Sequence, residues 1–304
     1  MPVRYAITGA TGYTGKYIAR RLLQGNAEII NLTGHPERPN PFGARVQPAA
    51  FDFNNPSRMA AALADVDTLF NTYWVRFPYR GMTFERAVEN SLALFEAARL
   101  AGVRRVVHVS ITNPAPDSHL PYFSGKARLE EALQNSGLSY AILRPAVLFG
   151  GEDILINNIA YFLRRLPFFA IPGSGEYRLQ PIHVEDFAGL CISYAQGKEA
   201  RVILDAIGPE TFTFNELVHL LAKAINRQPR LIHLPPDMLY PLMRILGAVM
   251  KDIVLTRQEI QGLMADLLVT QAPVLGKTSL STWAFQNADS LGRNYASEVA
   301  RHFH

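Results

Sequence analysis

The sequence predicts a doubly wound α/β fold, a parallel sheet covered by helices on both faces, with a smaller, mostly helical C-terminal substrate region. Three observations carry this expectation. Short β-branched or apolar runs alternate with helix-patterned segments through the first half of the chain, and such alternation requires crossover connections between parallel strands. Helical patterns stop at Gly25-Asn26, Gly102 and Gly137, where a left-handed C-cap would stand. A glycine-spaced turn follows the first strand and opens the first helix.

Taken in order, strands are predicted at VRYAIT (3–8), AEIINLT (27–33), DTLFNTY (67–73), RRVVHVS (104–110) and LSYAILR (138–144), with a weaker one in ARVQPAAFDF (44–53). Helices are predicted between them at YTGKYIARRLLQ, SRMAAALA, TFERAVENSLALFEAARLAG and FSGKARLEEALQNSG. After residue 150 the rhythm changes to loops, then IHVEDFAGLCISYA as a helix returning to the sheet and RVILDAIG (201–208) as a strand. TFNELVHLLAKAI, DMLYPLMRILGAVM, TRQEIQGLMADLL and TSLSTWAFQ make a largely helical tail. The expected division is residues 1–150, rejoined by 181–208, and a smaller substrate or lid region of 151–180 and 209–304.

Composition narrows the function classes. The chain has 304 residues, 48% apolar and 18% charged, which is ordinary for a folded globular protein. Its net charge of +4 is spread over isolated pairs such as Arg20-Arg21, Arg104-Arg105 and Arg164-Arg165; a nucleic-acid surface needs a denser basic stripe. The single cysteine, Cys191, lies in an apolar helical pattern, so no intrachain disulfide can form and a reducing, cytoplasmic setting is expected. Strand-like sequence from residue 3 predicts no signal peptide. MLYPLMRILGAVM (238–250) is too short to span a bilayer and is interrupted by Arg244. It reads as a core or lid helix, or as an apolar surface for a protein partner or a membrane face. The eight histidines show no paired ligand spacing, so no metal is expected.

The turn ITGATGYTGK (7–16) raises three readings. A mononucleotide P-loop fails by counting: five residues separate Gly9 from Gly15, two separate Gly12 from Gly15, and Tyr17 follows Lys16. An incidental turn would lose backbone entropy at each glycine for no return. A dinucleotide turn explains all three glycines: Gly9 for the tight turn, Gly12 for approach of a pyrophosphate, and Gly15 for close helix–strand packing. The second strand ends in NLTGHPER, with Thr33, Gly34 and His35 where an NAD site usually has a carboxylate, and Arg38 following. NADP(H) is therefore favoured over NAD(H).

These residues resemble the short-chain dehydrogenase/reductase superfamily in its extended or atypical branches, which implies a Rossmann fold. The T-G-x-x-G-x-x-G spacing at Thr8 to Gly15 is that family's variant, and LRPAVLFGG (143–151) and PIHVEDFAGL (181–190) are similar to two further landmarks. NTYWVRFP and YFSGKARLEEAL resemble bacterial relatives of the NAD(P)H-binding accessory subunit of respiratory complex I. The resemblance implies a cofactor site formed by Thr8, Gly9, Thr11, Gly12, Tyr13, Gly15, Thr33, His35, Arg38, Asp52 (toward the adenine amino group), Asn71 and Lys126.

It also implies a catalytic set of Tyr122, Lys126 and Thr112, with Ser110 and Asn90 nearby. Tyrosine, with a pKa near 10, is a poor proton donor at neutrality; a lysine one helical turn later would stabilise its phenolate and reach the nicotinamide ribose. Thr112 and Tyr122 are ten positions apart, closer than in most extended members, and Pro121 precedes the tyrosine. Tyr122 is then either the acid/base or a helix-start aromatic packed on its loop. Tyr73, Trp74, Phe149 and the 150–180 insertion would wall an apolar pocket. His183 reads as a structural corner residue, Asp186 as a helix-start carboxylate, and Arg178 as one position out of register with the family's anion-binding arginine. Two functions remain: an NAD(P)-dependent oxidoreductase, epimerase-like in its family, acting on a small, fairly apolar carbonyl, alcohol or sugar-like substrate, or a non-catalytic NAD(P)H-binding assembly factor, accessory subunit or redox sensor. A monomer or homodimer is expected, the helices at 82–101 and 122–136 being those that pair extended members.

Overall fold

The computed structural model describes residues 2–303. The chain runs β1 (Val3–Thr8), α1 (Tyr13–Leu23), β2 (Ala27–Thr33), β3 (Val46–Ala50), α2 (Pro56–Ala62), β4 (Thr68–Asn71), α3 (Phe84–Leu100), β5 (Arg105–Val109), α4 (Pro121–Asn135) and β6 (Ser139–Pro145). It continues through β7 (Val147–Phe149), α5 (Leu155–Arg165), β8 (Phe168–Pro172), β9 (Arg178–Leu179), β10 (Pro181–His183), α6 (Val184–Gln196), β11 (Arg201–Ala206), β12 (Phe212–Thr213), α7 (Phe214–Ala224) and β13 (Arg230–Leu234). The tail is α8 (Pro236–Met250), α9 (Arg257–Met264), α10 (Leu280–Gln286) and α11 (Glu298–Phe303).

Two compact units result, one of residues 1–145 and 187–205, the other of 146–186 and 206–304. In the first, seven strands form one sheet in the order β11-β6-β5-β4-β1-β2-β3, and the pairings from β3 through β6 are all parallel. The order reverses between β1 and β4, the switch point at which open α/β sheets bind ligands beyond their strand C-termini. One face of the sheet is covered by α2, α3 and α4, whose Met59, Leu63, Val88, Leu94, Leu129 and Leu133 pack on Ala6, Ile30, Leu32, Leu69 and Val106.

β1 and β2 coincide with their predicted spans. β3 is shorter than its segment because it is the sheet edge, with only Val46 buried and with Pro48, which can stand only where no ladder donor is needed. Gly102 and Gly137 are left-handed as predicted, with φ of +68° and +78°. Gly25 is not. There α1 ends through a right-handed Gln24, and the N–H groups of Gln24 and Gly25 donate to the carbonyls of Arg21 and Leu22, a tightened 3₁₀-like last turn in place of a left-handed cap.

In the second unit, α5, α7 and α10 bury Ile156, Ile159, Leu163, Leu217, Val218, Leu221 and Ala284 together. Three two-stranded ladders surround them: β10 with β7 and β13 with β8, both parallel, and β12 with β9, antiparallel. β10 therefore pairs with β7, and of the strands after residue 180 only β11 joins the large sheet. Phe149, expected on a pocket wall, is fully buried, with His183 and Trp283 set edge-on at 5.1 and 5.5 Å. Cys191 is buried and its thiol pKa is pushed up by desolvation, so it is a small apolar filler.

The tightest backbone approach in the first unit is at Gly15, where an added Cβ would lie 2.1 Å from the Gly9 carbonyl oxygen. Gly15→Ala is expected to lower stability in denaturant unfolding by about 1–3 kcal/mol through overpacking. Gly34→Ala, where a Cβ meets nothing within 4 Å, should shift it by less than about 0.5 kcal/mol.

Candidate cofactor and Tyr–Lys site

The turn after β1 is built from main chain. Gly9 adopts φ +68°, a region without steric cost only for glycine, and its N–H donates to the Leu32 carbonyl at 2.8 Å. The Ala10 N–H is held by the Asn31 side chain at 2.7 Å, and Gly12 N–H closes onto the Gly9 carbonyl at 2.8 Å. Gly12 is the N-cap of α1 and offers no side-chain oxygen to the first-turn N–H groups; no acidic residue stands in that turn. A helix start whose N-cap residue contributes no side-chain bond is suited to an anion. Tyr13 begins the helix and packs edge-on to Tyr17, while Thr11 is exposed at the tip of the turn.

Beside the turn lies a shallow, open recess lined by Thr11, Asn31, His35, Arg38 and Asn40 among others. The Thr33 hydroxyl accepts the His35 N–H at 3.1 Å, which folds the loop back over the end of β2. Glu37, a carboxylate in the same loop, is exposed and lies 3.5 Å from His35 Nδ1, so a carboxylate is present after all, aimed at the imidazole. Asp52 follows β3 half-exposed, 3.4 Å from Arg58, between Phe51 and Phe53, whose rings stack at 4.6 Å.

Thr8 and Asn71 lie at the switch point, both buried. Thr8 Oγ1 accepts the Thr72 N–H at 2.7 Å and the Thr72 hydroxyl donates to the Thr8 carbonyl, which ties the end of β1 to the end of β4. Asn71 accepts the Tyr73 N–H at 3.0 Å and its amide meets His108 Nδ1 at 3.1 Å. Burial, with the Lys126 charge adding, holds the His108 imidazole well below its ordinary pKa. With Nδ1 accepting from the amide, the neutral ring carries its proton on Nε2.

α4 begins at Pro121, in the first-turn position proline tolerates, so Tyr122 and Lys126 stand one turn apart near its start. Lys126 is only 2% exposed. Its ammonium donates to the Val109 carbonyl at 2.7 Å and lies 4.5 Å from the centroid of the Trp74 ring, a cation–π distance. Desolvation lowers its pKa to about 7, against the raising effect of Glu130. Trp74 reaches this place because residue 125 is glycine: a Cβ there would come within 2.9 Å of the indole. Tyr122 is half-buried, edge-on to Trp74 and Phe84 at 5.7 and 5.8 Å. Thr112 is fully buried after β5, its N–H on the Pro145 carbonyl at 3.2 Å. Asn90 is buried rather than on the helix surface, and donates to the Tyr73 hydroxyl at 2.8 Å.

Residues 9–158 match the family described as NAD(P)H-binding. Residues 9–158 are thus similar to NAD(P)H-binding domains, and the fold is extended short-chain dehydrogenase/reductase-like. It is 26% identical over 253 residues to the mitochondrial NADH dehydrogenase [ubiquinone] 1 alpha subcomplex subunit 9 of Arabidopsis thaliana, a match covering 80% of this chain and 62% of that protein. It is 26% identical over 240 residues to the photosystem II assembly factor Ycf39 of Guillardia theta, covering 77% of this chain and 74% of the relative. The complex I resemblance seen in NTYWVRFP and YFSGKARLEEAL is thus met. In fold, the chain is similar to the Citrobacter sp. triphenylmethane reductase complexed with NADP(H), with a TM-score of 0.77 at 17% identity over 94% of this chain and 99% of that one.

Within this domain the structure brings the glycine turn, His35 and Arg38 around one recess, and sets Tyr122 and Lys126 on one helix. Arg178, by contrast, is spent in the second unit on a paired contact with Asp266 at 2.7 and 3.1 Å. Sequence reasoning missed Glu130. It is buried, bound by the Ser110 hydroxyl and clasped by the Arg144 guanidinium. The signal was there: Lys126, Leu129, Glu130 and Leu133 share one helical stripe, and two of its members carry charge on an otherwise core-facing row.

The Lys126 shift has a pH signature. Below about pH 7 folded and unfolded chains both hold the proton, and the folded one bears the desolvation cost. Between about 7 and 10.5 the folded chain has released it while the unfolded chain retains it, so stability rises with pH across that window. Denaturant unfolding from pH 7 to 10 should show this rise in the wild type and lose it in Lys126→Met.

Proposed function

We propose that the protein is an NADPH-dependent oxidoreductase acting on a small, fairly apolar carbonyl or alcohol. The observation that carries this reading is Lys126, a buried ammonium titrating near neutrality one helical turn from Tyr122. A base of matched pKa beside a phenol is what proton transfer at neutral pH requires.

The cofactor suits the cradle on the chain's own geometry, since Gly12 and Gly15 pack against the Gly9 carbonyl and put no side chain at the helix start. The first-turn N–H groups of α1 would hold the pyrophosphate, and Arg38 and His35 would face a 2′-phosphate in the recess they line. When bound, the nicotinamide supplies or accepts the hydride. Lys126 would leave the Val109 carbonyl for the ribose hydroxyls and favour ionisation of Tyr122, which moves a proton between its Oη and the substrate oxygen. Thr112 would steady that oxygen. Tyr73, Trp74 and Phe84 make the neighbourhood aromatic, in keeping with an apolar substrate.

A second reading, binding without turnover, draws on one feature. The Trp74 indole lies against the Lys126 ammonium and the Tyr122 ring, so the pair is partly covered by the chain itself. The relatives named as a complex I subunit and an assembly factor support it.

The two readings part on turnover. Purified protein given NADPH and a panel of quinones, aldehydes and ketones should oxidise the cofactor, and Tyr122→Phe should slow this by about 100-fold or more with NADPH affinity unchanged. Tight NADPH binding with no turnover on any acceptor, and no effect of that substitution, would overturn the enzyme reading in favour of the binding one.

A further inference from the structure

The helix α8 presents to solvent what a helix of a folded domain normally buries. Met238, Leu242, Ile245 and Val249 are 63, 41, 66 and 74% exposed. Their spacing of four, three and four residues places them within an arc of about 60° on one side of the helix. The opposite side faces its own unit: Leu239 is buried, and the Gly247 position is so close to the Asp252 carbonyl that a Cβ would lie 2.6 Å from it. Four large apolar side chains in a row are a contiguous patch, unlike scattered surface leucines.

We infer that α8 lies in the plane of an anionic lipid surface, with this ridge immersed among the acyl chains. Three observations choose lipid over a protein. Three of the four ridge residues, Leu242, Ile245 and Val249, are aliphatic, and the ridge lacks the aromatic or arginine anchors and hydrogen-bonding groups that concentrate binding energy in protein interfaces. It is convex, standing on a helix rather than in a groove, a shape that fluid acyl chains can enclose. The exposed charge beside it is basic: Arg244 and Lys251 are exposed, while the acidic Asp237 is engaged by Arg257 at 2.8 Å. A cationic flank on an apolar helix complements phosphate headgroups, with long basic side chains reaching up to them.

The geometry fits a helix lying flat. α8 has 15 residues, about 22 Å at the rise of an α-helix, short of a hydrocarbon core of about 30 Å. Among the described residues no helix is long and apolar enough to cross a membrane. This inference is independent of whether the dinucleotide domain turns over a substrate, since α8 belongs to the other unit.

Co-sedimentation of the full chain with vesicles of phosphatidylglycerol and phosphatidylcholine, against vesicles of phosphatidylcholine alone, tests it. The protein should bind the anionic vesicles, and Ile245→Glu and Val249→Glu should each weaken binding roughly tenfold, because a carboxylate must then enter the acyl region. Arg244→Glu should weaken it on the anionic vesicles, and added salt should do the same. Circular dichroism and NADPH affinity of the variants should match wild type, as all three positions are exposed. Failure to bind vesicles, or binding indifferent to Ile245→Glu, overturns the inference. So does a wild-type dimer in light scattering that Ile245→Glu converts to monomer, which would make the ridge a contact between copies.

Discussion

The structure of the first unit depends on one steric absence. Gly15 in the first turn of α1 rests on the Gly9 carbonyl so closely that no β-carbon fits between them. That contact lets the helix start directly above the end of β1, aimed along it, and leaves the turn between them with main-chain donors and few side chains. Thr8 and Thr72 then lock β1 to β4, and Asn31 holds the turn from β2. Binding geometry at the switch point is a consequence of packing that precedes any ligand.

A second constraint concerns charge. The stripe of α4 facing the sheet includes Lys126 and Glu130, and both are buried. Glu130 is fully provided for by Arg144 and Ser110. Lys126 is less well matched: one backbone carbonyl and the face of an indole replace its water. An ammonium held this loosely is prepared to exchange partners, and a ribose hydroxyl is the kind of partner that would improve its position.

Sequence legibility followed how local each cause was. β1 and β2 were readable to the residue because buried parallel strands are continuous apolar runs bounded by turn signals. β3 was half-readable, since an exposed edge strand with a proline obeys neither period. The short strands of the second unit, among them β9 and β12 of two residues each, carry no periodicity at all, and their ladders exist only through tertiary pairing. The place of the glycine turn at the end of β1, and of Tyr122 and Lys126 one turn apart on α4, was legible because each depends on spacing within one element. The Trp74–Gly125 contact, the Asn90–Tyr73 bond and the burial of Arg105 against the Tyr140 and Gly197 carbonyls were not, because they join distant segments. Glu37 was overlooked for another reason: a residue past the strand end has no fixed direction until the loop folds.

The role proposed for the bare main chain of the first turn is to hold a pyrophosphate. Its most direct test is calorimetric titration of NADPH and NADH into wild type and Gly12→Val. A Cβ at Gly12 would stand 3.1 Å from the Gly9 carbonyl, a tight contact that a small backbone adjustment can absorb, while the added side chain obstructs the approach to α1. Measurable affinity is expected in wild type, stronger for NADPH than for NADH, with loss of about 100-fold or more in Gly12→Val and little change in thermal midpoint. Absence of affinity for either nucleotide in wild type, or binding unchanged by the valine, would contradict it.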